Sequence, residues 1–180
     1  MAEDWRGRIG GMDEGRMNLY LSGSTLARVA MIDDGGRPYT MPLWYHWDGD
    51  VFWFVIRKLS AVARFMRDRP DVAIVIDDMG RVDDPEHGRH FEAPKVFAQG
   101  TAEIVEEPNV GGKWVEYAEK MARRYLGPNG PSYITPTLEQ PRWLIKVTPD
   151  HVKTWEGLGW SKKYWVETEK GPSYEDVHAG

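Results

Sequence analysis

The sequence predicts an α+β protein, with six or seven antiparallel strands making a small β-barrel and two or three helices packed on it. Three observations carry this reading. The first strand segments lie about a dozen residues apart with hairpin-type turns between them, too close for βαβ crossovers, so a Rossmann fold is not expected. One early strand-helix-strand unit occurs, around "SAVARFMRDRP". In a chain of 180 residues, 41% hydrophobic content with nine Trp, eight Tyr and five Phe repays the entropy of folding one core, so the chain is a single folded domain over 1–180.

Residues 13–21, "DEGRMNLYL", predict a short leading helix that ends at "SGS", with Met17, Leu19, Tyr20 and Leu21 as its apolar side. "TLARVAMI" alternates and forms the first strand. After "DDGG", "RPYTMPLWYHW" runs on as the second, and after "DGD", "VFWFVI" is the third, so the three make a meander. A helix then runs from Ser60 to about Arg69, with Val62, Ala63, Phe65 and Met66 apolar, and Pro70 stops it before the strand "DVAIVID". The polar stretch 78–94, rich in Gly, Pro and Asp, reads as a long loop or lid rather than packed structure. "KVFAQGTAEIVEE" returns to strand, with Gly100 placed for a bulge or a close backbone approach. Trp114, Tyr117, Ala118, Met121 and Tyr125 recur at helical spacing, with Gly127 as the stop. "RWLIKVTPDHVKTWEG" supplies the last strands, and the tail beyond Trp165 is expected to be loosely held, as is the N-terminus.

The net charge of −5 argues against a broad basic face for nucleic acid. Without Cys there is no disulfide framework and no thiolate chemistry, which suits a reducing cytoplasm. The apolar runs fall far short of the roughly 20 residues that a membrane span needs. A cytoplasmic protein without membrane or nucleic-acid partners is therefore expected.

The strand-to-helix join at residues 57–60 is the sharpest local signal. A helix N-terminus already carries positive charge and unpaired N–H groups, yet Arg57 and Lys58 add cations beside the Ser60 hydroxyl. Converging on a phosphate explains them. Taken alone, the motif is a weak signal, better described as a Ser cap with solvated loop charges. The aromatic run "LWYHWDGDVFWF" suits a stacked heterocycle, and suits core or interface packing better for most of its members. His87 and His90, with Asp83, Asp84 and Glu86, match no metal-ligand spacing, so no metal is expected.

In order and spacing, "LARVAMIDDGGRPYTMPLWYHWDGDVFWFV", "SAVARFMRDRPDVAI", "VFAQGTAEIVEEP" and "VKTWEGLGWSKKYW" resemble the flavin-binding split barrel of the pyridoxamine 5'-phosphate oxidase superfamily, above all its flavin and deazaflavin oxidoreductase branch, over about residues 17–165. The resemblance implies a homodimer with two sites at its interface, binding FMN or, as the alternative, the deazaflavin coenzyme F-420, and moving hydride to or from a small organic substrate. Thr40, Met41, Pro42 and Leu43 would then lie along the ring, and Val55, Ile56 and Arg57 along the ribityl chain. Lys58, Ser60, Ala61 and Val62 would lie at the phosphate, Lys95 at a polar contact, and Trp155 would come from the second subunit. The family's phosphate-binding Arg and Lys are replaced here by Ala61 and Val62, for which Arg57, Lys58 or Arg64 would have to substitute. The lysines of "LGWSKKYW" stand where the oxidase carries an Arg-x-His pair, which argues against pyridoxamine phosphate oxidation itself. A non-catalytic carrier or sensor of flavin, deazaflavin or haem is the other reading of this barrel, and a cofactor-free interaction module a third.

Overall fold

The structure is a computed structural model that describes residues 11–78, 81–84 and 89–157. Helix α1 (Glu14–Leu21) starts where the Asp13 side chain accepts the Arg16 N–H at 2.8 Å, and it buries Tyr20 and Leu21. Strands β1 (Ala27–Ile32), β2 (Pro38–Leu43), β3 (His46–Trp47), β4 (Phe52–Arg57), β5 (Asp71–Asp77), β8 (Lys95–Asn109) and β9 (Arg142–Trp155) form one seven-stranded sheet, with helix α2 (Ala61–Asp68) between β4 and β5. All of its pairings are antiparallel, and its order is β2-β1-β5-β8-β9-β4-β3. The sheet curls but does not close, leaving a split between its two edges, β2 and β3.

Period-two alternation decides which side chains fill the curl. Val29 and Met31, Ile74 and Ile76, Val96 and Ala98, Phe52 and Phe54, and Ile145 and Val147 all point into the barrel core, which α2 covers with Val62, Phe65 and Met66. On the opposite side of β4 and β9, helix α3 (Trp114–Leu126) packs Trp114, Tyr117, Ala118 and Met121 against Trp53 and Leu144 as a second apolar layer. Glu106 of β8 starts this helix, because its two carboxylate oxygens accept the N–H groups of Lys113 and Trp114, each at 2.9 Å.

The expected meander is corrected. "RPYTMPLWYHW" is not one strand: β2 pairs with β1, while β3 crosses the split and pairs with β4, so β2 and β4 stand near opposite edges. The crossing at Trp44-Tyr45 is pinned by α3. Arg124 donates to the carbonyls of Gly23, Leu21 and, at 3.1 Å, Tyr45, and the Tyr45 hydroxyl donates to the Leu21 carbonyl at 3.0 Å. Burying Tyr45 and Trp47 on the far edge outweighs continuing the ladder.

The 78–94 stretch is also corrected from loop to partly packed structure. Strands β6 (Arg81–Asp84) and β7 (Arg89–Glu92) pair as a two-stranded ribbon. Phe91 is buried with its ring 5.3 Å from that of Tyr20. Residues 85–88, which include His87, lie outside the described residues, as do the tail beyond 157 and the "LGWSKKYW" segment from Leu158 on. The last strands are one strand, β9, which pairs with β4 through its first half and with β8 along its length. Helix α4 (Pro131–Ile134), with a 3-10 turn at Thr135–Thr137, occupies a stretch for which no element was expected. Its entry needs Gly130, where a Cβ would stand 2.0 Å from the Ala122 carbonyl oxygen.

His46, half-buried on β3 with its ring 5.8 Å from that of Tyr117, has its pKa pushed down, first by desolvation and then by Lys120 and Arg124, against the smaller pull of Asp48 and Glu116. The unfolded chain therefore binds this proton first. The His46 contribution to stability falls as pH drops below the ordinary value of about 6.5, and stops falling once the folded form protonates. His46→Gln is expected to flatten that part of the stability profile, read as denaturant midpoints at pH 7 and pH 5. An unchanged slope would assign the acid sensitivity to other groups.

Candidate functional site

The 57–60 join sits where the end of β4 meets the start of β9. The Lys58 N–H donates to the Pro141 carbonyl at 3.1 Å, and the Trp143 indole donates to the Lys58 carbonyl at 3.3 Å, so the join is fixed to the neighbouring strand. Ser60 takes the cap position of α2 with extended backbone, but its hydroxyl makes no capping bond. The first turn of α2 contains no acidic residue. The first N–H groups of α2 and the Ser60 hydroxyl thus lie together at the join without a side-chain cap.

A cavity of about 440 Å³ opens there. Pro42, Leu43 and Trp44 line it from the β2 side of the split, Val55, Ile56, Arg57 and Ser60 from β4 and the join, and Ala118, Met121, Tyr133, Ile134 and Arg142 from the helical layer and β9. Its volume and mostly apolar wall with a few convergent polar groups suit a small-molecule site. A larger depression of about 580 Å³ lies elsewhere on the sheet, and its charged groups are Asp71 and Asp150, the wrong sign for an anion.

Of the residues expected at the site, Pro42, Leu43, Val55, Ile56, Arg57 and Ser60 come together around this cavity. Thr40 is exposed on β2, while Met41 packs on the barrel core. Lys58 is exposed beside the join, and Ala61 packs on the core. Val62 is 3% exposed inside the barrel, so its backbone but not its side chain faces the α2 terminus. Arg64 forms an exposed ion pair with Asp34 at 2.6 Å, which occupies it. Lys95 donates to the Ala93 carbonyl at 3.1 Å and lies directly across from Trp155. That pair sits at the other end of β8 and β9 from the cavity, some 40 Å away along β9 at about 3.3 Å per residue.

Trp44, Ala118, Met121, Tyr133, Ile134 and Arg142 line the cavity without having been among the expected site residues, although Trp44 belongs to the aromatic run. Trp44 stacks on Tyr125 at 4.9 Å and 9°, and Tyr133 tilts against it at 6.0 Å, forming an aromatic wall. Most other members of the aromatic run are core: Tyr45, Trp47, Phe52, Trp53 and Phe54 are buried. Arg142 is 8% exposed and stands directly across from Arg57 in the β4–β9 ladder. Its Nη2 donates to Thr137 Oγ1 at 2.9 Å, and its guanidinium lies 5.4 Å from the centre of the Trp114 ring. Its Nε is buried with no hydrogen-bond partner. Desolvation lowers its pKa, and Arg57 lowers it further. Among the described residues no group of His, Asp or Glu is arranged to hold a metal, and no helix is long and apolar enough to cross a membrane.

The family model described as pyridoxamine 5'-phosphate oxidase matches residues 14–156. No curated protein matches the chain. Among solved structures, a conserved hypothetical protein from Mycobacterium tuberculosis is similar with a TM-score of 0.65 and 23% identity, covering 90% of this chain and 94% of that one. An F-420 reductase is similar with a TM-score of 0.55 and 23% identity, covering 74% and 92%. An FAD and haem binding protein from Mycobacterium smegmatis follows with 0.59 and 16%, covering 93% and 78%. At these identities the likeness shows a shared fold.

Proposed function

We propose, from the premise that this chain belongs to the pyridoxamine 5'-phosphate oxidase family, that it is a flavin-dependent oxidoreductase, binding FMN or the deazaflavin F-420 and passing hydride to or from a small organic substrate. The observation that carries the reading is the cavity that Arg57, Arg142 and Ser60, the cap residue of α2, line together with an apolar and aromatic wall. The Arg142 guanidinium, which has no carboxylate partner among the described residues, and the uncommitted Ser60 hydroxyl both line the cavity and are donors of the kind a cofactor phosphate requires, so the residues fit the group. When bound, the flavin supplies the redox chemistry.

The chain's own part is binding, orientation and exclusion of water. Arg57 and Ser60 hold the anionic end at the join. Pro42, Leu43, Val55 and Ile56 present an apolar surface from both sides of the split, which favours a ring over water. No side chain needs to act as acid or base for a hydride to move, so the absence of a proton-transfer motif fits this role.

A homodimer belongs to the same proposal. Lys95 and Trp155 are separated from the cavity by the length of β9, so one copy alone does not bring them to it. The outward side of β1, β5 and β8 carries Ala30, Ile32, Ala73, Val75 and Phe97, all partly exposed, which suits burial against a second copy.

The test is an absorbance and fluorescence titration with FMN and with F-420 at matched salt, followed by reduction of the bound cofactor with a nicotinamide donor. Tight binding of one cofactor with turnover is expected. Binding without any reduction or reoxidation would favour the carrier reading, and binding of neither would overturn the cofactor assignment. Arg57→Ala is expected to weaken cofactor binding by about 1 to 3 kcal/mol. Unchanged affinity would move the site away from the join.

A further inference from the structure

Arg142 costs the free protein stability in three ways. Its guanidinium is removed from water without a carboxylate, and no ion pair to it exists among the described residues. It faces a like charge, Arg57, directly across the ladder. Of its five N–H donors, one reaches Thr137, and the Nε–H reaches nothing. The Trp114 ring offsets only part of this, since a cation over an aromatic face is worth about 1 to 2 kcal/mol. Such a residue persists where an anion arrives to satisfy it.

The other cations near the join are poorly placed for that anion. Arg64 is paired with Asp34, Lys58 is exposed, and the first turn of α2 begins with Ala61 and Val62. We propose that Arg142, reaching from β9, is the principal cation of this site, and that with Arg57 and Ser60 it grips a phosphate monoester. A carboxylate offers two oxygens and one charge. A phosphate monoester offers three oxygens and close to two charges, which matches two guanidinium groups and a hydroxyl. This deepens the flavin reading and rests on it for the source of the phosphate, but the anion site itself can be tested without flavin.

The experiment uses Arg142→Met, which keeps the stem's volume and removes the charge. It reads three quantities: the thermal midpoint of the free protein, affinity for FMN against riboflavin, and broadening of the phosphorus resonance of inorganic phosphate. The free variant is expected to melt above the wild type, because the buried unpaired charge is gone. Its FMN affinity is expected to fall about tenfold or more while riboflavin affinity changes less than about twofold. Phosphate broadening, present in the wild type, is expected to vanish.

A variant that melts lower and loses FMN and riboflavin affinity equally would make Arg142 a brace for the Thr137 turn and overturn the proposal. So would phosphate broadening equal in the two proteins. If no flavin binds but phosphate broadening depends on Arg142, the anion site stands and the flavin reading falls. Arg142→Lys, which keeps the charge but not the fork, serves if the Met variant does not fold: it should lose FMN affinity about fivefold or more with riboflavin unaffected, and equal losses for both flavins would again overturn the proposal.

Discussion

Gly100→Ala is expected to lower stability by about 2 to 4 kcal/mol, seen as a drop in the urea midpoint with an unchanged slope. A Cβ at this position would lie 2.2 Å from the Thr148 carbonyl oxygen and 2.9 Å from the Pro149 Cα. These are backbone atoms of β9, which has no rotamer to give. The contact arises because the β8–β9 register slips between Gln99 and Gly100, and the bulge presses the strands together. If Gly100→Ala costs less than about 1 kcal/mol, the bulge relaxes more freely than its contacts indicate.

Trp114→Ala is expected to cost about 3 to 5 kcal/mol, the range for truncating a large buried aromatic. The side chain is fully buried and donates from its indole to the Asn109 carbonyl at 3.0 Å. It also underlies the Arg142 guanidinium, so the loss should reach the cavity: ligand affinity should fall even where enough folded protein survives to measure it. Trp114→Phe keeps a ring but drops the indole donor, and is expected to recover most of the affinity with a smaller share of the stability. Full affinity in Trp114→Ala would show that the ring does not support Arg142.

Much of the fold was legible because it follows local periods. The strand at 27–32 alternates, the strands at 52–57 and 71–77 are short apolar runs bounded by turn or breaker residues, the helix at 61–68 lies between Ser60 and Pro70, and Gly100 marked the bulge by lacking a side chain. The second strand was misjudged because an unbroken aromatic run carries no sign of where the chain leaves one edge for the other. That choice belongs to Arg124 and Tyr125 of α3, about 80 residues further on: Arg124 donates to the Tyr45 carbonyl, and the Tyr125 hydroxyl accepts the Tyr45 N–H at 3.4 Å. The stretch 78–94 looked unpacked by composition, yet Phe91 anchors it against Tyr20 and the Arg16 guanidinium stands 4.4 Å over its ring.

By itself, the sequence determined the positions of most strands, the stops of the main helices and the meeting of cation, hydroxyl and helix start at Arg57, Lys58 and Ser60, because each depends on neighbours within about one turn or one strand. It determined the family resemblance through the order of those pieces. Only the tertiary structure decided that β2 and β3 border a split, that Trp44 and Tyr133 share a wall, and that Arg142 lies buried across from Arg57. In the sequence, Arg142 is a polar residue opening a strand, with nothing nearby to mark it. Its burial and its like-charged neighbour come from a pairing that spans 85 positions, and register at that distance is set by the whole sheet rather than by any local pattern.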